Sequence, residues 1–253
     1  FYKNLLTKVI GSQILYYEKV SSTNEVAEKI LSERRINEGT LIYAGEQTKG
    51  KGQKGNTWLS EAGKNLTLSI VLYPGFLPAE FQFAISQVLS LSIAGLLDNY
   101  TGSISIKWPN DIYYKDDKIA GILIENSVEG NVLQYSIAGA GININQASFP
   151  RELPGAVSLR MIKGNDQDIN TLLKELCNIC NRWYNILREG DLAYINDQYH
   201  KRLYRYNTLT TFRTASGIIR GRIRGVDSHG MLLIKTTSGT GLRFSFKEVE
   251  ISN

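Results

Sequence analysis

The spacing of apolar residues changes toward the C-terminus, and this change limits the folds that the chain can adopt. Earlier stretches that alternate like strands, such as 14–20, are interspersed with stretches of helical spacing, such as 172–187. From Thr208 onward apolar residues recur at every second position, and glycines mark the turns. The pattern predicts an α+β fold, with a mixed central sheet flanked by helices over residues 1–206 and a small β-barrel over residues 207–253.

Capping and turn residues place individual elements. Ser22, with Glu25 three residues later, predicts a capped helix after the first strand. Pro78 predicts the start of a long helix that runs to about Tyr100. Further strands are expected over residues 40–46, 66–73, 104–108, 119–126 and 133–143, and further helices over residues 172–187 and 192–206.

Composition limits the class of protein. The 253 residues are 42% hydrophobic, enough for one substantial core and a small appended module. No run approaches the length of a transmembrane helix, and the first ten residues lack a signal-peptide pattern. Cys177 and Cys180 have no second pair to complete a zinc site, so we expect reduced thiols in a cytoplasmic protein. Because the chain begins with Phe1 rather than Met, the sequence leaves open whether the native protein extends before it.

Positive charge is concentrated near the C-terminus. The formal net charge is +5, but residues 201–247 hold ten Lys or Arg and one acidic residue. A basic module of this kind suits nucleic acid, a triphosphate or an acidic protein surface. Its aromatic residues Phe212, Phe244 and Phe246 alternate as core residues do, so nucleic acid is the weaker of these alternatives.

Residues 107–111, Lys-Trp-Pro-Asn-Asp, form the most informative motif. Pro109 fixes its own backbone and favours an extended conformation at Trp108, which holds the flanking polar side chains in place. Together with Lys118, the motif offers two ammonium groups that can neutralise a phosphate or a carboxylate, and a carboxylate that can accept a proton. Taken alone, these charges are more typical of a solvated hairpin.

A glycine-rich basic loop, residues 47–58, lies upstream of that motif. Its glycines allow successive backbone N–H groups to converge on an anion, and its lysines add charge. The loop lacks the Gly-Lys-Ser/Thr ending of a Walker motif and the third glycine of a dinucleotide-binding motif. Considered by itself, it is also typical of a mobile surface loop.

Taken together, five motifs resemble those of the biotin–protein ligases across residues 10–250. They are residues 22–24, 47–58, 107–111, 118–125 and 139–145. The resemblance implies a class II synthetase-like catalytic domain followed by an SH3-like barrel. No DNA-reading helix-turn-helix precedes the catalytic domain in this sequence, so we expect a form of the family without it.

The resemblance also implies a two-step, ATP-dependent reaction. Biotin would be activated as biotinyl-5′-AMP with release of pyrophosphate, and a lysine of a biotin carboxyl carrier domain would then accept it. Because two anions must be held together, Mg²⁺ bound with ATP and clustered lysines are expected. The sequence does not identify metal ligands, the acceptor carboxylase, the order of binding or the choice between monomer and homodimer.

The resemblance assigns roles to individual residues. The expected catalytic residues are Lys118, Asp111 and Lys51. The expected biotin-binding residues are Ser22, Thr23, Asn24, Gln47, Gly50, Lys51, Gly52, Gln53, Lys118 and Gly121. The expected ATP and adenylate residues are Lys51, Lys54, Trp58, Lys107, Asn110, Asn143 and Asn145. Alternative explanations are a helix cap for Ser22 and a turn-forming role for Asp111.

Gln53 departs from the arginine that is usual at its loop position in the family. Glutamine carries no charge, so the departure puts in question how tightly the adenylate is held, and the sequence does not settle its effect. Two other functions stay open. One is a lipoate or octanoate–protein ligase of the same wider fold, and the other is a non-catalytic protein that binds biotin or a nucleotide.

Overall fold

The computed structural model describes residues 8–252, apart from the side chain of Lys54. The helices are α1 (Thr23–Glu33), α2 (Phe83–Thr101), α3 (Leu159–Lys163), α4 (Ile169–Arg188) and α5 (Leu192–Lys201). The strands are β1 (Ile14–Val20), β2 (Leu41–Gln47), β3 (Leu66–Leu72), β4 (Ile104–Lys107), β5 (Asp111–Tyr114), β6 (Asp117–Glu129), β7 (Val132–Ile142), β8 (Leu209–Thr214), β9 (Gly217–Val226), β10 (Leu232–Thr236), β11 (Gly241–Phe244) and β12 (Val249–Ile251).

Seven strands form the central sheet, in the order β1-β2-β3-β7-β6-β5-β4. The β1–β2 pair is parallel and the other neighbouring strands are antiparallel. Helix α1 packs on β2, β3 and β7, whereas α2 packs on β4 to β7 and on α4 and α5. The predicted mixed sheet flanked by helices is therefore confirmed.

Helix α2 is the central helix of the main hydrophobic core. Leu91, Ile93 and Leu96 on this helix are at most 1% exposed. By length and composition, residues 79–101 could cross a membrane, so the expectation that no segment reaches this length is wrong. Because 72% of that stretch is buried inside the protein, it has the environment of a core helix.

Local details differ from the sequence prediction in several places. Ser22 occupies the N-cap position of α1, but its side chain makes no capping hydrogen bond, and Glu25 instead accepts one from Ser21. The helix expected from Pro78 is divided into a short 3-10 turn at Ala79–Phe81 and α2. The helix expected to reach residue 206 ends at Lys201, and β5 and α3 were not predicted.

The C-terminal strands form a five-stranded antiparallel sheet in the order β11-β10-β9-β8-β12. Its buried residues, including Phe212 and Ile223, belong to the same core cluster as the helical layer. Trp108 donates a hydrogen bond from its indole N–H to the carbonyl of Gly230, at 2.9 Å. The closure of this sheet into an SH3-like barrel and the division at residues 206 and 207 stay predictions.

His200 on α5 joins the helical layer to the C-terminal sheet. Its Nε2 lies 2.8 Å from the backbone nitrogen of Val226 and 3.0 Å from the Val226 carbonyl oxygen. The ring also stacks on Tyr206, with ring centroids 6.2 Å apart. Burial lowers the pKa of His200 below its ordinary value.

We expect this contact to weaken in mild acid. Because the pKa of His200 is lower in the folded state, the unfolded chain takes up a proton first as the pH falls. The contribution of neutral His200 to the free energy of unfolding is fully present above about pH 6.5 and declines below it. Thermal unfolding from pH 7.5 to 5.5 tests this expectation. His200→Gln should flatten the pH dependence, whereas His229→Gln at an exposed site should not; equal slopes for all three proteins would contradict it.

Candidate active site

A cavity of about 620 Å³ lies between the central sheet and the C-terminal sheet. It brings together thirteen of the residues that the sequence predicted for the site. These are Ser22, Thr23, Asn24, Gln47, Lys51, Gly52, Gln53, Trp58, Lys107, Asn110, Asp111, Lys118 and Gly121. Segments up to about 100 residues apart in sequence therefore converge on one site.

Three predicted residues do not line the cavity. Asn143 donates its amide to the carbonyl of Val157, at 3.0 Å, and Asn145 exchanges hydrogen bonds with the backbone of Gln167. Gly50 lies within the glycine-rich loop, where a Cβ atom would come within 2.4 Å of the carbonyl oxygen of Trp58. In this structure Asn143, Asn145 and Gly50 therefore contribute to the backbone arrangement around the cavity and do not line it. The side chain of Lys54 lies outside the described part of the structure.

Lys118 and Asp111 form an ion pair at the centre of the site. Lys118 Nζ lies 2.8 Å from Asp111 Oδ1, and both side chains are partly exposed to the cavity. The antiparallel pairing of β5 with β6 brings the two residues together. Asp111 is the first residue of β5 and lies opposite Gly121 of β6, and Lys118 lies three residues before Gly121 near the start of β6. The ammonium group is therefore held next to a possible proton acceptor.

A buried polar network forms one end of the cavity. Gln47 Oε1 accepts hydrogen bonds from the backbone N–H and the hydroxyl of Thr23, at 2.7 and 3.1 Å. Ser69 Oγ lies 2.5 Å from Asn24 Oδ1, and the Asn24 amide donates to Glu125 Oε2 at 2.6 Å. Thr23, Asn24 and Ser69 are buried and Gln47 and Glu125 are half-buried, so these groups fix one another's orientation.

Ser69 and Glu125 were missed by the sequence reasoning. Ser69 is fully buried in β3, where its apolar neighbours Leu68 and Ile70 give the strand the pattern of a core element. A lone serine in such a strand is the only signal that could have identified it. Glu125 ends the predicted 118–125 motif but was given no role.

The glycine-rich loop is fastened to α1 by an ion pair. Lys51 Nζ lies 3.1 Å from Glu25 Oε1, and Ser21 donates to Glu25 Oε2 at 2.5 Å. The hydrogen bond from Ser21 and then that from Lys51 lower the pKa of the Glu25 carboxyl. The hydrogen bond to Glu25 raises the pKa of Lys51. Lys51 thus stays cationic at the cavity rim.

Trp58, at the end of the loop, lies on a pair of glycines. Gly121 on β6 is directly opposite Gly141 on β7. A Cβ atom at Gly141 would lie 2.2 Å from the Trp58 ring, and one at Gly121 would lie 2.9 Å from it. The paired glycines therefore create the space that the indole fills. Lys118 Nζ lies 5.4 Å from the ring centroid, within the range of a cation–π contact.

The Lys-Trp-Pro-Asn-Asp motif forms the turn between β4 and β5, and its Trp108–Pro109 bond is cis. The Asn110 side chain donates to the carbonyl of Ile122, at 2.5 Å, which fastens the turn to β6. The ring of Trp108 contacts Phe246 of the C-terminal sheet edge-on, with centroids 6.4 Å apart. The motif therefore joins both walls of the cavity.

Comparison with known proteins identifies the family. A family model described as the biotin/lipoate A/B protein ligase family matches residues 16–143. The bifunctional ligase/repressor BirA of Bacillus spizizenii is 30% identical over 93% of this chain and 73% of its own length. The biotin–[acetyl-CoA-carboxylase] ligase of Paracoccus denitrificans is 30% identical over 87% of this chain and 93% of its own.

A solved structure shows the same architecture. The biotin protein ligase from Aquifex aeolicus, in complex with biotin and ATP, superposes with a TM-score of 0.79 at 28% identity. The match covers 96% of this chain and 99% of that one. The matched family model and the relatives aligned over most of their length show that this chain belongs to the biotin/lipoate A/B protein ligase family.

Proposed function

We propose that this protein is an ATP-dependent ligase that joins biotin to a lysine of a biotin carboxyl carrier domain. The observation that carries the proposal is that one cavity is lined both by the Lys118–Asp111 ion pair and by the hydrogen-bonded side chains of Gln47, Thr23 and Asn24. The proteins of Paracoccus denitrificans and Aquifex aeolicus named above are biotin ligases, and their similarity to this chain supports the same reaction.

In the first step, a carboxylate oxygen of biotin attacks the α-phosphorus of ATP. The new bond joins that oxygen to phosphorus, and the bond from the α-phosphorus to the bridging oxygen breaks, so pyrophosphate leaves with the electron pair. Negative charge accumulates around the α-phosphate in the transition state. In this proposal Lys118 bridges the biotin carboxylate and the α-phosphate, and Lys51 closes the loop over them.

In the second step, the amine of the acceptor lysine attacks the carbonyl carbon of biotinyl-5′-AMP. The C–N bond forms, the C–O bond to phosphate breaks, and AMP leaves. The amine nitrogen must lose a proton, and Asp111 is the carboxylate in the cavity positioned beside Lys118 to receive or orient it.

The buried network supports biotin over a linear acyl chain. The ureido ring of biotin presents two N–H donors and one carbonyl acceptor, which require polar partners if they are buried. Thr23, Asn24 and Gln47 supply hydroxyl and amide groups at one end of the cavity. A lipoate or octanoate tail has no ureido group to exchange hydrogen bonds with these side chains, so that alternative is weaker. A non-catalytic role would not require the Lys118–Asp111 pair.

Magnesium is proposed to arrive with ATP as part of the substrate. No group of three or more His, Cys, Asp or Glu side chains able to hold a metal ion lies within the described residues. The phosphates themselves supply most of the oxygen ligands that Mg²⁺ prefers. A cytoplasmic location is proposed from the two free, buried thiols of Cys177 and Cys180. The C-terminal sheet is proposed to form the SH3-like barrel of the family.

Intact-mass measurement tests the proposed reaction. The protein is incubated with ATP, Mg²⁺, biotin and a biotin carboxyl carrier domain, and the mass of the carrier domain is followed. We expect one biotin to be added only when ATP and biotin are both present. Modification with lipoate or octanoate instead of biotin would favour the alternative ligase, and no modification of any acceptor would favour a binding protein.

The loop over residues 48–57 is expected to become protected when ligands bind. Lys49 and Lys51 are exposed in this structure, so trypsin can reach the adjacent peptide bonds. Closure of the loop would exclude water from the hydrolysable anhydride. Cleavage after Lys49 or Lys51 should slow several-fold with biotin and ATP, while cleavage after the exposed Lys163 should not change. Equal rates at the loop with and without ligands would contradict a lid.

A further inference from the structure

Some of the lysines that line the cavity form ion pairs with carboxylates of the protein, and others do not. Among the side chains that the structure describes, four lysines line the cavity: Lys51, Lys107, Lys118 and Lys247. Lys51 and Lys118 are paired with Glu25 and Asp111, respectively, at 3.1 and 2.8 Å. Within residues 8–252, Lys107 and Lys247 have no carboxylate within 4.0 Å. Two cations in the cavity therefore stay available to an anionic ligand.

The two available lysines lie on opposite walls. Lys107 ends β4 of the central sheet, and its Nζ lies 3.0 Å from the Tyr113 hydroxyl oxygen. Lys247 lies between β11 and β12 of the C-terminal sheet. Their sequence neighbours Trp108 and Phe246 are in edge-on ring contact, at 6.4 Å between centroids. This contact holds the two lysine-bearing segments next to each other.

The backbone at Lys247 has a conformation that lysine rarely adopts. The N–H of Glu248 donates to the carbonyl of Ser245 at 3.1 Å, which closes a four-residue turn. Lys247 is the third residue of this turn and has a φ of +75°. Glycine is preferred at this position of such a turn. Residues held in rare backbone conformations are concentrated at ligand-binding sites. Here the residue lines a cavity, and within residues 8–252 its ammonium group has no carboxylate partner.

We propose that Lys247 binds the β- and γ-phosphates of ATP and the pyrophosphate that leaves. This inference rests on the proposed function, since biotin and the α-phosphate are assigned to Lys118 and Lys51. The remaining phosphates carry most of the negative charge of ATP and need cations of their own. Lys247 supplies one from the C-terminal sheet, opposite Lys107. When the bond from the α-phosphorus breaks, the charge that develops on the leaving oxygen is stabilised by this ammonium group.

Nucleotide affinity tests the assignment without requiring biotin transfer. AMP and a non-hydrolysable α,β-methylene analogue of ATP differ in the β- and γ-phosphates, so the ratio of their dissociation constants isolates contacts to those groups. Lys247→Gln should weaken binding of the ATP analogue on the order of tenfold, and binding of AMP less than about twofold. Lys247→Arg should restore most of the loss. Lys235→Gln, an exposed charge change on β10 of the same sheet, is the matched control.

The variant Lys247→Gly distinguishes the effect of losing the charge from the effect of relieving the unfavourable backbone conformation. Glycine adopts a positive φ without steric cost, so this variant should unfold at the same or a higher temperature than the wild type. It should nevertheless lose affinity for the ATP analogue as Lys247→Gln does. An unchanged ATP-to-AMP ratio in Lys247→Gln, or an equal loss in Lys235→Gln, would overturn the assignment. A wild type that shows the Lys247-dependent ratio but transfers no biotin would refute the proposed function and leave this assignment standing.

Discussion

Replacing Lys118 by glutamine should reduce adenylate formation by on the order of 10²-fold or more while leaving the protein folded. The side chain keeps a similar length but loses the charge that we propose to bridge the biotin carboxylate and the α-phosphate. Because this charge acts most strongly on the extra negative charge of the transition state, the turnover rate should fall more than ground-state binding of either substrate. The loss corresponds to a few kcal/mol of barrier.

The measurement is pyrophosphate release from ATP in the presence of biotin. Lys115→Gln is the matched control, because Lys115 is an exposed lysine in the turn between β5 and β6 and does not line the cavity. Lys118→Gln also leaves Asp111 without its cationic partner, so thermal unfolding must show that the variant is folded at the assay temperature. Pyrophosphate release at the wild-type rate by a folded Lys118→Gln would refute the assignment.

Much of the fold was predictable because the long elements carry strong periodic patterns. β1 was predicted with the bounds that the structure shows, and α4 was predicted to within a few residues. The errors occur where tertiary contacts override a local signal. Ser22 is of a residue type that often caps helices, but its hydroxyl makes no capping hydrogen bond. Instead, Ser22 lines the cavity together with its neighbours Thr23 and Asn24. β5 has four residues, too few to show a period.

The site was predicted more completely than its supporting contacts. The motif residues converge because β2, β6 and the turn before β5 bring them to one cavity. Contacts across large sequence separations have no local signal, and the Ser69–Asn24 hydrogen bond joins residues 45 positions apart. For the same reason, Lys247 could not be placed at the cavity from the sequence. Its approach to the cavity depends on how the two sheets pack.

Replacing Gly139 by alanine should have the second large effect, a loss of biotin affinity on the order of 10²-fold. Gly139 lies on β7, paired with Ser69 on β3 and Leu123 on β6. A Cβ atom at this position would lie 2.3 Å from Asn24 Oδ1 and 3.0 Å from its Cγ. Asn24 has a short side chain, and hydrogen bonds to Ser69 and Glu125 fix both ends of its amide. The added methyl group must therefore displace the amide and break these bonds.

The loss of biotin affinity in Gly139→Ala should exceed the loss of thermal stability. The reason is that the Asn24 amide is displaced within a polar network at the cavity rather than within the apolar core. Gly95→Ala is the matched control. A Cβ atom there would lie 3.8 Å from Ile179 Cγ2, an ordinary contact, and alanine favours a helix over glycine by up to about 1 kcal/mol. Calorimetric titration with biotin, together with thermal unfolding, measures both quantities. Wild-type biotin affinity in a folded Gly139→Ala would show that Asn24 does not contribute to the biotin pocket.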